Sequence, residues 1–196
     1  MCHLFLCTLL TASLGAQETP RLATEARLWL REPAGQAPLR VTVHCYEPFY
    51  STHQGAPWVK LHDLRGIVYP GPPASPLAVP ERHRENAGIR DFIARYNTLP
   101  TDQNPCSAAA VRELLDHAKA WAEHFGRPIH LGEFGSHDIG DQASRSRYSE
   151  EMRSMAEARG IPWTLWDWKA TFGYWDSQKT SHVFPARRCS TDSRAL

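Results

Sequence analysis

The sequence has almost no net charge with which to hold a polyanion. Its 196 residues contain 22 Lys and Arg against 21 Asp and Glu, which leaves a formal charge of +1. No run of Lys and Arg is long enough to form a local basic patch. Because nucleic acids and anionic membranes are attracted mainly by positive charge, the sequence predicts neither as a partner, and a neutral partner is favoured.

Several signatures of common sites are missing as well. No Gly-x-Gly-x-x-Gly, phosphate-binding loop or Gly-x-Ser-x-Gly motif occurs, which excludes the commoner nucleotide-binding and serine-hydrolase sites. We expect no metal and no organic cofactor. No Cys-x-x-Cys pair and no His/Cys spacing suited to zinc is present, so we expect buried or free thiols among the cysteines, which are Cys2, Cys7, Cys45, Cys106 and Cys189.

Long hydrophobic runs are scarce. After the amino terminus, no segment approaches the roughly 20 apolar residues that a membrane-spanning helix needs. Residues 1–19 do contain an apolar stretch followed by small residues, as secretory signals do, but they lack the basic start of such signals. We interpret 1–19 as either a signal peptide, with a secreted or periplasmic mature chain, or an unrelated leader.

Aromatic residues, in contrast, are abundant. Seven Trp, six Tyr and seven Phe supply flat apolar faces that serve either a protein core or the C–H faces of a sugar. With 42% hydrophobic and 22% charged residues, the chain has the composition of a globular protein, and its length favours one domain. We assign that domain to 20–185, followed by a tail of uncertain structure at 186–196.

Helical and strand patterns alternate along the chain. Apolar residues recur at helical spacing in three segments, which are 87–99, 107–126 and 148–160. Short runs rich in β-branched or aromatic residues predict strands at 39–49, 129–134 and 163–168. This alternation predicts an α/β fold with a parallel sheet covered by helices. The proline-rich segment 66–80 is interpreted as a surface loop, and 81–86 as a solvated helix start.

Polar and aromatic side chains cluster where the predicted strands end. The first strand ends with His44, Tyr46 and Glu47, the second with Glu133, and the third with Trp166, Asp167 and Trp168. In parallel α/β folds the carboxyl ends of the strands open onto a shared cleft. An acid, an imidazole, a phenol and a stacking indole in one cleft favour a carbohydrate site over a phosphate site.

Three stretches together resemble motifs of the cellulases of glycoside hydrolase family 5. They are "VTVHCYEPFYSTHQGAPW" at 41–58, "RPIHLGEFG" at 127–135 and "IPWTLWDWKATFGYWD" at 161–176, and with their helices the resemblance covers about 36–185. It implies part of a (β/α)8 TIM barrel, about strands six to eight, which binds a β-linked polysaccharide or oligosaccharide. It also implies double displacement by a retaining endo-β-1,4-glucanase, without metal or cofactor.

The resemblance gives each site residue a role. It implies that Glu133 is the nucleophile and that His44 and Tyr46 line the cleft beside it. Trp166 would stack on a sugar ring, and His53 and Trp58 would contact substrate. The carboxylate that ends the second predicted strand would thus be there to attack an anomeric carbon.

One part of the family's pattern has no counterpart in the sequence. The family's general acid/base is a glutamate in an Asn-Glu-Pro motif, and no such tripeptide occurs in the 196 residues. Glu32 precedes a proline but lies only a dozen residues before His44, too close to be two strands upstream. We therefore expect a carboxyl-terminal part of the catalytic domain, with open barrel edges that favour self-association.

Other interpretations of these residues stay open. A lone glutamate between glycines is more often a loop residue, and His44 and Tyr46 without context would be satisfied core groups. Alternation puts Trp166 and Trp168 on one face, where one of them could fill the barrel interior. The alternative functions are a non-catalytic glucan-binding remnant and a fragment with no stable fold of its own.

Overall fold

Two parallel strands form the centre of the molecule. The computed structural model describes residues 40–173 and the backbone of 175–176 and 181–182. Strand β1 (Val41–His44) pairs in parallel with β2 (Ile129–Glu133) along its whole length. This pairing confirms the predicted parallel arrangement for the first two strands.

The third predicted strand, 163–168, is shorter than expected. Its contact with β2 is one isolated parallel bridge, between Leu131 and Trp163, extended by a hydrogen bond of 2.9 Å from Trp166 N to Phe134 O. Beyond Trp166 the chain turns, because the Asp167 carboxylate accepts a hydrogen bond from Ala170 N at 2.8 Å. The segment therefore follows β2 only as far as Trp166.

Helices separate these strands in the chain. They are α1 (Phe49–Thr52), α2 (Ala87–Thr98), α3 (Ala108–Phe125) and α4 (Gln142–Ala158). Short 3-10 turns occupy Pro57–Val59 and Glu81–His83. Strands β3 (Trp175–Asp176) and β4 (Ser181–His182) form a separate antiparallel pair. No helix in the described part of the chain is both long and apolar enough to span a membrane.

Helices α2 and α3 are confirmed, and they begin and end within one residue of the predicted positions. The Ser107 side chain caps α3 by accepting a hydrogen bond from Ala109 N, and the helix ends at Gly126 in the left-handed conformation. The Asn86 side chain caps α2 in the same way. Helix α2 buries the apolar positions that the pattern selects, and α3 buries Val111, Leu115 and Ala118, whereas its other predicted apolar residues, Leu114, Trp121 and Phe125, are half-buried.

Helix α4 begins six residues before the predicted start at Tyr148. The Asp141 carboxylate caps it by accepting a hydrogen bond from Ser144 N at 2.9 Å. Its first turn buries Ser144 and Arg145, which are polar, so the apolar periodicity did not extend over that turn. From Tyr148 onward the helix buries apolar side chains against the sheet as predicted.

The segment 66–80 lacks regular structure, as predicted, but it is more than a surface loop. Ile67 and Tyr69 are buried in the main core, and Val68 N donates a hydrogen bond of 2.8 Å to the Tyr96 hydroxyl. The prediction of a solvated face at 81–86 is wrong at His83, which is buried within a 3-10 turn.

The remaining sequence predictions concern the cysteines and the two ends of the chain. Cys45 and Cys106 are buried and form no disulfide, as expected. The predictions for 1–19 and 186–196, and those for Glu32, lie outside the described residues.

Gly135 lies where the loop after β2 meets the segment after Trp163. A Cβ at Gly135 would lie 2.0 Å from the Trp166 carbonyl oxygen, a backbone atom that cannot move aside. We expect Gly135→Ala to lower the free energy of unfolding by at least about 2 kcal/mol through overpacking. Urea denaturation followed by far-UV circular dichroism measures this change.

Gly88→Ala is the matched control. Gly88 lies in the first turn of α2, and its added Cβ would approach two side-chain oxygens, the Tyr50 hydroxyl at 3.0 Å and Asn86 Oδ1 at 3.4 Å. Alanine stabilises a helix by about 1 kcal/mol over glycine, which offsets those contacts. Equal denaturation midpoints for the Gly135 and Gly88 variants would contradict the close approach.

Candidate active site

Glu133 is the last residue of β2, and an irregularity in the strand pairing places it. Leu131 lies opposite Val43, but Glu133 lies opposite His44, so Gly132 is an extra residue in β2. A Cβ on Gly132 would lie 2.2 Å from Thr42 Cγ2, so any other residue there would displace the Thr42 side chain. Glycine immediately before the carboxylate therefore lets the two strands pair without that displacement.

Two side chains from the end of β1 contact the Glu133 carboxylate. The Tyr46 hydroxyl donates a hydrogen bond of 2.9 Å to Glu133 Oε2, and His44 Nδ1 lies 3.4 Å from the same oxygen. Glu133 keeps about a fifth of its side chain exposed, so the site opens to solvent. The structure thus brings together the three residues that the resemblance assigns to catalysis.

Tyr46 is held in its protonated, donating form. Burial raises the pKa of Tyr46 well above its usual range, and the hydrogen bond to Glu133 and the negative charges of Glu133 and Asp167 add to the effect. A phenol that stays protonated at all physiological pH values remains a hydrogen-bond donor to the carboxylate.

A wall of aromatic rings backs Tyr46. The Phe172 ring lies 5.7 Å from Tyr46 and 5.2 Å from His53, both edge to face. His53 stacks on Phe49 at 4.2 Å and is 8% exposed. The structure therefore places His53 beside Tyr46, but largely within the wall.

The predicted tryptophans lie at the surface around this wall. Trp58 is 55% exposed and Trp166 is 46% exposed, which leaves indole area free in each case. The Trp58 ring lies 6.1 Å from Phe172, which in turn lies 5.7 Å from Tyr46. Trp166 is joined through its backbone to Phe134, the residue after Glu133. Both positions suit contact with a ligand that extends across the strand ends.

Two residues of the wall escaped the sequence analysis. Phe172 lies inside the third motif, and His137 lies four residues after Glu133. Both are about 5% exposed, and their rings are 5.8 Å apart. The sequence signal that could have found them is an aromatic or imidazole side chain in a loop next to the predicted nucleophile. That signal is weak, because the residues that these rings contact come from distant parts of the chain.

Two further carboxylates near the strand ends have local roles. Glu47 accepts a hydrogen bond of 2.8 Å from Phe49 N, and Asp167 accepts one of 2.8 Å from Ala170 N. Each bond shapes a turn. Within residues 40–173, no group of three or more His, Cys, Asp and Glu side chains is arranged to hold a metal ion.

Comparison with known proteins identifies the family. A sequence profile of Cellulase (glycosyl hydrolase family 5) matches residues 15–172, well over half of the chain. The chain belongs to glycosyl hydrolase family 5. The resemblance drawn from the three motifs is thereby confirmed.

The relatives are longer than this chain. Endoglucanase 3 of Fibrobacter succinogenes is 29% identical over 138 residues, which are 70% of this chain and 21% of that protein. Endoglucanase C of Acetivibrio thermocellus is 27% identical over 132 residues, 64% of this chain and 35% of that protein. The chain spans about a fifth and about a third of their lengths.

The fold agrees with a solved member of the family. The crystal structure of endoglucanase Cel5A from Thermotoga maritima matches with a TM-score of 0.55 at 24% identity, over 81% of this chain and 41% of that chain. At this identity the likeness concerns the fold alone. It supports the (β/α)8 barrel class, of which the described residues form a partial α/β layer.

His53 gives the site a pH-dependent stability. Burial lowers the pKa of His53 to about 4, and the neighbouring His137 adds to the effect. The unfolded chain binds the proton near pH 6.5, so stability is full above that pH and is lost as pH falls towards 4. We expect the free energy of unfolding of His53→Asn to fall less between pH 7 and pH 4 than that of the wild type, by up to about 3 kcal/mol.

The measurement is the urea midpoint at a series of pH values from 7 to 4. Carboxylates also titrate in this range, so the informative quantity is the difference in slope between the variant and the wild type. His124→Asn, at an exposed position of α3, is the control and should leave the slope unchanged. Parallel curves for the wild type and His53→Asn would show that His53 does not titrate with unfolding.

Proposed function

We propose that the chain carries the nucleophile half of a retaining endo-β-1,4-glucanase site, with Glu133 as the nucleophile. The observation that supports this most is the contact of Tyr46 and His44 with one oxygen of the only carboxylate at the end of β2. The names of the curated relatives, both endoglucanases, agree with the reaction class. In the same proposal, β1, β2 and the segment 163–166 correspond to barrel strands six, seven and eight.

Both contacts on Glu133 fall on Oε2, and we assign Oε1 to the attack. Oε1 would form an ester bond to the anomeric carbon while the glycosidic oxygen departs, and water would later break that ester with overall retention. The Tyr46 hydroxyl would keep the carboxylate oriented before the attack.

In our proposal the described residues do not supply the second carboxyl group of the reaction, the general acid/base. Retaining glycosidases place an acid/base about 5 to 5.5 Å from the nucleophile. The sequence has no Asn-Glu-Pro tripeptide, and the carboxylates of Glu47 and Asp167 each hold a turn. General acid catalysis is typically worth about 10² to 10⁴ in rate, so the 196 residues alone should hydrolyse cellulose feebly at best.

The substrate that we propose is a neutral β-linked glucan. The exposed indoles of Trp58 and Trp166 offer apolar faces to the C–H faces of sugar rings. Such a polymer is met outside the cytoplasm, which agrees with the signal-like pattern of 1–19. Within the described residues β1 pairs on one edge only, and we propose that the free edge favours self-association.

A second candidate function is glucan binding without chemistry. The exposed indoles support it, because they would bind sugar whether or not an acid/base is in place. The two functions differ in one measurable respect: only a competent nucleophile forms a covalent bond to the sugar.

An activated substrate tests the nucleophile without the acid. In 2,4-dinitrophenyl β-cellobioside the leaving phenolate needs no proton, so attack by Glu133 breaks the bond between the anomeric carbon and the phenolate oxygen. We expect a burst of about one equivalent of dinitrophenolate per chain, followed by a stalled glycosyl ester that azide releases as β-cellobiosyl azide. Peptide mass spectrometry should find the adduct on Glu133.

Two variants make this experiment decisive. Glu133→Gln keeps the shape but cannot form the ester, so the burst should vanish while cello-oligosaccharides still bind. Glu123→Gln, at an exposed position of α3, should burst normally. A wild-type chain that binds sugar without any burst would favour the non-catalytic function, and an adduct on another residue would end the assignment of Glu133.

Trp166 offers a separate test of the sugar-binding surface. We expect Trp166→Ala to weaken binding of cellotetraose by about 1 to 3 kcal/mol, the scale of covering one aromatic face. Isothermal titration calorimetry measures the affinity. The same substitution at Trp168, which is 59% exposed, compares the two exposed indoles. Unchanged affinity for Trp166→Ala would show that this indole is not part of the sugar-binding surface.

A further inference from the structure

Two buried side chains contact the exposed Trp58 indole. Trp58 lies in the 3-10 turn Pro57–Val59 and is 55% exposed. Its ring meets His137 edge to face at 5.1 Å and Phe172 at 6.1 Å. Both supporting residues are about 5% exposed. The part of the indole that does not meet them faces solvent, as a sugar-stacking surface requires.

His137 is itself held in one orientation. Its Nδ1 lies 3.1 Å from the Gln54 carbonyl oxygen, which can only accept, so Nδ1 carries the proton and donates. Its backbone N donates to Thr52 O at 2.7 Å. These two bonds fall on either side of His53 in the chain. They tie the loop after β2 to the segment that leads into the Trp58 turn.

A second contact joins the same two segments. Gly55 has a positive φ of 76°, and a Cβ there would lie 2.6 Å from Ile139 Cγ2. Ile139 belongs to the loop after β2, like His137. The turn that carries Trp58 is therefore packed against this loop at two points.

The loop that supports Trp58 begins at Glu133. Only three residues separate Glu133 from His137. Arg145 donates to Ser136 O at 3.2 Å and to Gly173 O at 3.0 Å, and Asp138 N donates to Thr171 O at 2.7 Å. A short loop fixed by these bonds cannot easily change the separation between its two ends.

We propose that His137 is a positioning residue that holds the Trp58 indole in register with Glu133. It touches no reacting atom, and it acts through Trp58 on a sugar beyond the one at the bond to be cleaved. This rests on the proposed function for the identity of the ligand. Longer β-glucan oligosaccharides, which reach Trp58, should therefore depend on His137, and cellobiose should not.

A double-mutant cycle tests whether His137 acts through Trp58. In the full chain, His137→Asn should weaken cellohexaose binding roughly three- to tenfold and leave cellobiose binding unchanged. In a Trp58→Ala background the same substitution should have no further effect, because the platform is already gone. Equal losses in both backgrounds, or for both ligands, would overturn the proposal.

Two substitutions separate the ring from its hydrogen bond. Asparagine at 137 can still donate to Gln54 O but lacks the ring that meets Trp58, and His137→Phe keeps a ring but lacks the donor. We expect the Phe variant to recover most of the cellohexaose affinity if the ring supports the indole. Weaker binding by the Phe variant than by the Asn variant would overturn that role of the ring.

A measurement without ligand separates this proposal from the proposed function. In a chain labelled with 5-fluorotryptophan, the ¹⁹F resonance that Trp58→Phe removes reports the Trp58 environment. His137→Asn should shift or broaden that resonance, and His124→Asn should not. An unmoved resonance would overturn the positioning role. A shifted resonance in a chain that binds no β-glucan would support it while refuting the proposed substrate.

Discussion

The register between β1 and β2 is the constraint on which the candidate site depends. One extra residue in β2, Gly132, shifts the pairing so that Glu133 lies opposite His44. That shift delivers the carboxylate to the two side chains that contact it, from His44 and Tyr46. A side chain at Gly132 would collide with the Thr42 side chain and displace it. The position of the Glu133 carboxylate is therefore determined first by the backbone register and only then by its side-chain contacts.

Burial near this carboxylate affects the protonation of two neighbouring side chains, Tyr46 and His53. The rings of Phe172 and His53 exclude water from one side of Tyr46, and this desolvation is the largest cause of its raised pKa. The same exclusion keeps His53 neutral at ordinary pH. The Glu133 carboxylate thus meets a proton donor that is backed by an uncharged imidazole, an environment that suits a neutral ligand better than a phosphate.

Much of this arrangement could be predicted from local pattern, because the pattern and the fold agree. The caps Ser107 and Gly126, the buried stripe of α3 and the carboxylate at the end of β2 are all set by neighbours in the sequence. The first turn of α4 could not be predicted, since its buried Arg145 is stabilised by the carbonyl groups of Ser136 and Gly173, which only the folded chain brings to it. His137 escaped for the same reason: its partners, Gln54 and Trp58, are brought to it only by the folded chain.

The loop after β2 couples chemistry and binding within a few residues. It starts at the proposed nucleophile and ends against the turn of a proposed sugar platform, and Arg145 fixes it to the loop that carries Phe172. A single short loop makes the separation of the two ends insensitive to motion elsewhere. Substitutions of Arg145, whose bonds fix this loop, should therefore alter sugar affinity and nucleophile placement together, whereas substitutions at the exposed indoles should alter affinity alone. That asymmetry follows from connectivity, and it holds whichever β-linked sugar the cleft accepts.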